Sequence, residues 1–141
     1  EHLKAIFENI NLLVANHHEY AGMCKTLGIT REELISRVPM AIETKSSDGC
    51  VLFEDGKETF IPAVKVRCVD PTGAGDAFRA GFLTAYAAGY SAADSCRIGT
   101  VTASFVVETS GCQIGLPDWN TLVKRYEDTT GTFPSHGPSR A

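Results

Sequence analysis

The chain has 141 residues, a formal net charge of −4 and a hydrophobic share of 43%. These values are ordinary for a globular domain with a real core, and the acidic balance offers no basic surface for nucleic acid. No apolar run approaches the length of a membrane span and no charged-then-apolar leader opens the chain, so we expect a cytoplasmic protein. The cysteines form no CxxC pair, which favours reduced and mostly buried thiols at Cys24, Cys50, Cys68, Cys96 and Cys112.

The first part of the chain alternates helical and strand patterns, with turn residues between them. Apolar spacing, capping residues and breakers predict, in order, a helix over 1–9, a buried strand over 10–15, helices over 20–27 and 31–37, and strands over 40–44 and 50–53. The pair Asp55-Gly56 predicts a hairpin whose second strand extends through Val64 and Val66. A sheet with helices between its first strands is therefore expected.

The stretch over 69–78, Val-Asp-Pro-Thr-Gly-Ala-Gly-Asp-Ala-Phe, organises the second part of the chain. We expect a strand before it and a small-residue helix after it, over 77–90. Glycines leave backbone N–H groups unmasked, and a helix start adds its free N–H groups and dipole, so the junction can bind an anion. Asp76 would stand beside that anion as a general base, an arrangement that suits phosphoryl transfer. The same residues also fit an ordinary helix start with an acidic first turn, and the spacing alone leaves both interpretations open.

Two more helices and a polar tail complete the predicted elements. Ser91 caps a helix that runs to about residue 108, and Asp118 opens the last helix. The order of elements predicts an α/β layered fold with a mostly parallel sheet flanked by helices. Because ligands bind at the carboxyl ends of parallel strands, 16–19 and 73–76 are expected to line one crevice. The sequence contains neither a GxxxxGK[ST] loop nor a GxGxxG motif followed by a distal acid.

Residues 70–82, Asp-Pro-Thr-Gly-Ala-Gly-Asp-Ala-Phe-Arg-Ala-Gly-Phe, resemble the second signature of the ribokinase-like (PfkB) carbohydrate and nucleoside kinases. The Asp-Pro-Thr opening and the Arg-Ala-Gly-Phe exit are most similar to the bacterial adenosine kinase branch. The resemblance implies a ribokinase-like fold and ATP-dependent phosphorylation of a primary hydroxyl, with adenosine as the first choice of substrate. It assigns Gly73, Ala74 and Gly75 to an anion hole. It assigns Asp76 to the base that takes the proton from the hydroxyl as it attacks the γ-phosphate.

The resemblance also implies residues that hold Mg²⁺ and the nucleotide. The spacing of Asn16 and Glu19 fits a helix cap, whereas the family's Asn-x-x-Glu motif helps to place Mg²⁺ and the phosphates, and both roles can hold. Thr44 and Gly49 match a Thr-x-Gly-x-x-Gly turn that lies along the nucleotide in the family, and Ser46 stands where a glycine is usual. Without the resemblance, these three residues would belong to an ordinary polar turn.

Two further sites follow from the same resemblance. Thr100 and Ala103 fall near the adenine of ATP, with tight helix packing as the alternative. Asp70, Thr72 and the backbone near Gly111 resemble the monovalent cation site of many ribokinase-like enzymes, which implies K⁺ as a second metal. Nothing in their spacing alone requires this ion.

The resemblance covers residue 11 to about 126 and matches the C-terminal half of these kinases. We therefore expect 1–127 to be the nucleotide-binding and catalytic-base part of a kinase domain, and 128–141 to be a flexible tail. The upstream half of the same kinase would supply most substrate contacts and a lid, through which family members often form homodimers. Two alternatives stay open: a sugar kinase of the ribose or fructose type, and a nucleotide-binding fragment without catalysis.

Overall fold

The structure is a computed structural model that describes residues 2–111 and 114–135, with side chains from residue 5 onward. The chain forms two compact units. The sheet unit consists of Glu1–Ser46 and Cys50–Phe60, and the helix unit consists of Ser47–Gly49 and Ile61–Ala141. Predictions that concern Glu1, Cys112, Gln113 and 136–141 lie outside the described residues.

The sheet unit contains three helices and a four-stranded sheet whose strand order is β1-β2-β3-β4. Its elements are α1 (His2–Phe7), β1 (Leu12–Asn16), α2 (His17–Leu27), α3 (Arg31–Ser36), β2 (Met40–Thr44), β3 (Gly49–Glu54) and β4 (Lys57–Pro62), of which the last two reach into the helix unit. A short 3-10 turn (Ser46–Asp48) connects β2 to β3. The predicted elements of this part of the chain are therefore present, with boundaries shifted by a few residues.

Strand pairing follows from the length of each connection. β1 and β2 are parallel, with Leu12 opposite Met40 and Asn16 opposite Thr44, and α2 and α3 lie between them in sequence. β2 and β3 are antiparallel, because the few residues that join them are too short for a parallel crossover. Among the described strands, the predicted parallel pairing is found at β1–β2. The α/β fold with a β-hairpin is confirmed.

The tip of the hairpin has the predicted turn chemistry. Asp55 and Gly56 both have positive φ values, 53° and 71°. Two consecutive residues with positive φ form the primed type of turn whose twist matches that of the paired strands. The Asp-Gly pair is favoured there because both residues tolerate this conformation.

The core of the sheet unit lies between the sheet and its helices. It is built from the buried side chains Phe7, Ala15, Tyr20, Leu34, Val38 and Ala41. One buried residue of β2 is charged: Glu43 is 4% exposed, and its carboxylate forms an ion pair with Arg31 and a longer one, 3.6 Å, with Lys45. A buried carboxylate requires such partners, since an unpaired charge would be very unfavourable there.

The helix unit is built from α4 (Ala74–Ala87), α5 (Ala92–Val107) and α6 (Trp119–Thr130). Small residues let α4 and α5 pack closely: a Cβ on Gly81 would lie 2.8 Å from Cβ of Thr102, and one on Gly99 would lie 2.9 Å from the Phe78 carbonyl oxygen. A second core cluster contains Ala85, Tyr90, Ile98, Val101, Leu122 and Tyr126. The three helices therefore bury apolar side chains against one another.

Two predictions differ from the structure. The predicted strand through Val64 and Val66 is wrong, because β4 ends at Pro62, which has no N–H to continue a ladder. Farther along, the N–H groups of Val69 and Asp70 both donate to the carbonyl oxygen of Val107, at 2.7 and 3.2 Å. The approach to the Gly-rich junction is therefore an irregular segment bonded to the end of α5, and no strand immediately precedes the junction.

The last helix extends beyond the predicted boundary at residue 127. It ends at Thr130, and the ring of Phe133 packs edge-on against Tyr126 with 4.9 Å between ring centroids. The segment up to this aromatic contact is thus part of the packed structure. In the ranges 2–111 and 114–135, no helix combines the length and apolar character that crossing a bilayer requires.

Candidate active site

The Gly-rich junction forms an uncapped helix start. Gly73 is the N-cap residue of α4, with φ 83° and ψ −3°, and makes no side-chain cap hydrogen bond. A positive φ is readily adopted by glycine and strained for most other residues, which explains the glycine at this position. The Ala74 N–H donates to the Pro71 carbonyl oxygen at 3.2 Å. The amides that follow it, at Gly75 and Asp76, have no carbonyl partner one turn earlier, so this start presents N–H groups and the positive end of the helix dipole. The local geometry therefore suits an anion.

Asp76 lies in the first turn of α4, three residues after the N-cap. Its side chain is 86% exposed, and its carboxylate forms an ion pair with Arg79 at 3.1 Å on the next turn. A Cβ on Gly75 would meet only the end of the Arg79 side chain, at 3.7 Å, so the surrounding protein leaves the backbone open at this point. An exposed carboxylate next to unmasked backbone can accept a proton from a bound hydroxyl.

Asp70 fastens the segment that leads into the junction. Its carboxylate oxygens accept hydrogen bonds from the N–H of Thr72, at 2.9 Å, and from the N–H of Gly111, at 3.2 Å. Hydrogen bonds from Thr72, both side chain and backbone, and from the Gly111 backbone hold the pKa of Asp70 below its ordinary value. The structure therefore brings together all three residues of the predicted monovalent cation site, which lie 41 residues apart at their extremes.

In the sheet unit, Asn16 and Glu19 form the capping box that their spacing predicts. The Asn16 side-chain oxygen accepts from the Glu19 N–H at 2.9 Å, and the Glu19 carboxylate accepts from the Asn16 N–H at 2.8 Å. Thr44 lies directly opposite Asn16 in the parallel pair, so both residues are at the carboxyl ends of their strands. The exposed Glu19 carboxylate is thus held at a strand end by its own helix cap.

The turn after Thr44 has an unusual backbone at both predicted positions. Ser46 has φ 51°, the left-handed conformation for which the family's usual glycine is suited. Gly49 has φ 121°, and a Cβ there would lie 2.6 Å from the Ala63 nitrogen. Glycine is therefore required at residue 49 by close packing as well as by conformation, and serine at residue 46 occupies a backbone shape typical of glycine.

Thr100 lines a pocket of about 510 Å³ in the helix unit. The lining residues are Ile61, Pro62, Ala63, Val64, Lys65, Arg97, Thr100, Thr129 and Thr130. Arg97 is held by Asp94, one turn earlier on α5, at 2.8 Å. Ala103, one turn after Thr100, is half-buried and is not among the residues that form this lining. The pocket has the size, and the mixed apolar and polar lining, that suit a planar base with polar edges.

The predicted residues thus fall into two groups. Asn16, Glu19, Thr44 and Ser46 lie in the sheet unit, and Gly49, Asp70, Thr72, Gly73, Ala74, Gly75, Asp76, Thr100, Ala103 and Gly111 lie in the helix unit. A crevice that joins the two groups stays a prediction. Sequence reasoning missed Lys65 and Arg97, since a lone cation on a loop or a helix carries no signal of a pocket formed by distant segments.

A protein-family model described as "pfkB family carbohydrate kinase" matches residues 1–119. The nucleoside kinase of Methanocaldococcus jannaschii is 44% identical over 128 residues, which are 90% of this chain and 42% of that protein. Its crystal structure, described as an archaeal member of the ribokinase family, aligns with a TM-score of 0.83 at 43% identity and covers 89% of this chain and 42% of that one.

Two other relatives extend the comparison. The nucleoside kinase of Burkholderia thailandensis, solved in complex with ADP-inosine, aligns with a TM-score of 0.92 at 28% identity, covering 99% of this chain and 44% of that one. The ribokinase of Lactococcus lactis is 35% identical over 124 residues, 84% of this chain and 39% of that protein. The chain therefore spans less than half the length of these relatives.

The sequence signature at 70–82 and the α/β arrangement agree with these matches. The model match spans most of the chain, and the archaeal nucleoside kinase adds high identity over nearly the same residues. The chain belongs to the pfkB family of carbohydrate kinases and has the ribokinase-like fold.

Proposed function

We propose that this chain forms the phosphate-binding and catalytic-base part of a kinase that transfers the γ-phosphate of ATP to a primary hydroxyl of a nucleoside. The observation that carries the proposal is the uncapped start of α4, where Gly73 has a positive φ and Asp76 is 86% exposed in the first turn. An upstream half of the same kinase would supply most contacts with the acceptor. That division agrees with the share of about 42% that the chain covers in its nucleoside kinase relative.

The chemistry assigned to the junction is general-base catalysis with electrostatic stabilisation. The acceptor O–H bond breaks and its proton passes to the Asp76 carboxylate. The acceptor oxygen forms a bond to the γ-phosphorus while the bond from that phosphorus to the bridging oxygen breaks, and ADP leaves. The backbone N–H groups of Gly73, Ala74 and Gly75 stabilise the negative charge on the transferred group, for which positioning and charge matter most.

The nucleotide is assigned to the pocket and to the turn before β3. Thr100 lines the pocket together with Arg97 and Lys65. This mixture of polar groups supports a base-binding role. Ser46 and Gly49, with their positive φ values, support a turn that approaches a ligand through its backbone. Thr44 at the end of β2 and Ala103 on α5 complete the assigned contacts.

Two metal ions belong to the proposal. Glu19 presents a carboxylate at a strand end, which fits Mg²⁺, since this ion is usually held by one or two carboxylates together with phosphates. When bound, Mg²⁺ neutralises charge on the phosphates. The family resemblance assigns a K⁺ site to Asp70, Thr72 and the backbone near Gly111, which hydrogen bonds hold together, and replacing K⁺ by Li⁺ in the assay is expected to lower turnover.

A nucleoside is favoured as acceptor because the M. jannaschii and B. thailandensis relatives are nucleoside kinases, the latter solved with ADP-inosine. The relative named ribokinase supports a free sugar as the second candidate. A panel of adenosine, inosine, ribose and fructose with Mg·ATP distinguishes them. Higher kcat/KM for a nucleoside is expected, with adenosine first, and higher kcat/KM for a free sugar would reject the nucleoside assignment.

Asp76→Asn tests the catalytic assignment in the form of the protein that carries the proposed upstream half. Loss of the base is expected to lower kcat by about 10²–10⁴-fold. Asp55→Asn is the matched control, because it makes the same chemical change at the exposed hairpin tip, and it is expected to keep full turnover. Unchanged turnover in Asp76→Asn would reject Asp76 as the base.

The 141-residue chain alone is expected to bind Mg·ATP in calorimetry without phosphorylating an acceptor.

A further inference from the structure

The turn Ser47–Gly49 is fastened to the pocket wall, defined here as residues 61–65. The Lys65 ammonium donates a hydrogen bond to the Ser47 carbonyl oxygen at 2.8 Å. The Ala63 N–H donates to the Asp48 carbonyl oxygen at 3.1 Å. These two hydrogen bonds connect consecutive residues of the turn with two residues of the wall.

Gly49 makes the contact close. A Cβ on this residue would lie 2.6 Å from the Ala63 nitrogen and 2.8 Å from the Pro62 carbonyl carbon, and nearer still to the Ile61 carbonyl oxygen. No side chain fits between the turn and the wall, so the two backbones lie against each other. A movement of the wall would therefore displace the turn as well.

The wall also forms one side of the pocket. All five of its residues line the cavity, opposite Arg97 and Thr100 of α5 and the end of α6. Lys65 is the wall residue whose charged side chain both lines the pocket and bonds to the turn. An ammonium group carries three donors, so the hydrogen bond to Ser47 leaves donors for a ligand in the pocket.

We propose that Lys65 is a positioning residue that couples occupation of this pocket to closure of the turn Ser47–Gly49 on the wall. The inference rests on the proposed function, in which the pocket takes the base of ATP. A ligand that orders the wall strengthens the hydrogen bonds from the wall to the turn. By thermodynamic reciprocity, a turn that is already closed on the wall raises the affinity of the pocket for its ligand.

Hydrogen exchange at the Ala63 amide reports closure of the turn, since that N–H donates to Asp48. The experiment measures this exchange in the 141-residue chain with and without Mg·ATP, and measures Mg·ATP affinity by calorimetry. The variants are Lys65→Met, which keeps the aliphatic stem, and Lys65→Arg, which keeps the charge and the donors. Lys124→Met is the matched control, because Lys124 is an exposed lysine of α6 that does not line the pocket.

Mg·ATP is expected to slow exchange at Ala63 in the unmodified chain. Lys65→Met is expected to speed that exchange and to weaken Mg·ATP binding by about threefold to tenfold, the range for one typical intramolecular hydrogen bond. Lys65→Arg should recover both properties, and Lys124→Met should change neither.

Three outcomes overturn the inference. They are unchanged Ala63 exchange in Lys65→Met, faster exchange with unchanged affinity, and an equal loss of affinity in Lys124→Met. Absence of Mg·ATP binding in the unmodified chain is a different failure: it rejects the assignment of the pocket under the proposed function, and the inference that rests on it fails with it.

Discussion

The starts of α2 and α4 carry an acidic residue at the same position, the third of the helix, and use it differently. At α2, Asn16 caps the Glu19 N–H, and the Glu19 carboxylate caps the Asn16 N–H. At α4, the N-cap residue is Gly73, which makes no side-chain cap bond, and Asp76 is 86% exposed. At α4 the Ala74 N–H donates to the Pro71 carbonyl oxygen, but no side chain caps the amides as Asn16 does at α2.

This difference shows that a Gly-rich helix start loses stabilisation by capping but keeps N–H donors available to a ligand. The capping box satisfies helix donors within the chain and contributes to folding stability. The Gly73 start forgoes that contribution and presents its donors and a carboxylate to the surroundings. The start of α4 is less well capped than that of α2 and has a backbone conformation suited to glycine. This is the physical reason to assign ligand binding to α4.

The largest expected effect on stability comes from changing the backbone at Gly73. Gly73→Val puts a β-branched residue at φ 83°, and we expect the free energy of unfolding to fall by about 2 kcal/mol. Gly75→Ala is the matched control, since its Cβ would meet only the Arg79 side chain at 3.7 Å, and its unfolding free energy should stay within about 0.5 kcal/mol. Urea denaturation of the 141-residue chain measures both. Equal losses of unfolding free energy would show that Gly73, despite its positive φ, is no more sensitive to an added side chain than Gly75.

A smaller effect is expected from removing the cap of α2. Asn16→Ala should lower the free energy of unfolding by about 1 kcal/mol, because the Glu19 N–H loses its acceptor. Asn16→Asp should retain most of the stability, since aspartate caps a helix equally well. Asp76→Ala at the corresponding acidic position of α4 should change stability by less than about 0.5 kcal/mol, as expected for an exposed residue. The comparison between the two helix starts fails if Asp76→Ala costs as much as Asn16→Ala.

The smallest expected effect is the pH dependence contributed by Asp70. Hydrogen bonds from Thr72 and Gly111 lower its pKa in the folded state, so folding favours the ionised carboxylate. This stabilisation is present above the ordinary aspartate pKa of about 4 and is lost as the pH falls through the lowered folded-state value. Asp70→Asn should therefore show a shallower fall in thermal midpoint below about pH 4 than the unmodified chain. Identical pH profiles would contradict the conclusion that hydrogen bonds from Thr72 and Gly111 stabilise the ionised Asp70 carboxylate.

The local signals in the sequence predicted most of the fold. The cap at Asn16 and the Asp-Gly hairpin are present in the structure, because each depends on residues a few positions apart. β2 has the predicted bounds, Met40–Thr44. The buried Glu43 in that strand was not predicted as an ion-paired residue, although a charge in an otherwise apolar run is a signal of a buried partner.

Features that depend on distant residues were not predictable in the same way. The strand predicted just before the Gly-rich junction is absent, and the backbone N–H groups of Val69 and Asp70 instead donate to Val107 of α5, which no local pattern reveals. The hydrogen bond from Lys65 to Ser47 forms only because the fold brings together residues that are 18 positions apart in sequence. Asp70 and Gly111 were grouped by the family resemblance alone, and the structure brings their atoms within hydrogen-bonding distance.

The start of α4 is proposed to bind the terminal phosphates of a nucleotide. The most direct measurement is the change in backbone amide chemical shifts of the ¹⁵N-labelled 141-residue chain as Mg·ATP is added. The amides of residues 73–76 are expected to shift most, since the phosphates would bind there beside the Asp76 carboxylate. Saturable binding that leaves these four amides unmoved, while amides elsewhere shift, would contradict this proposal.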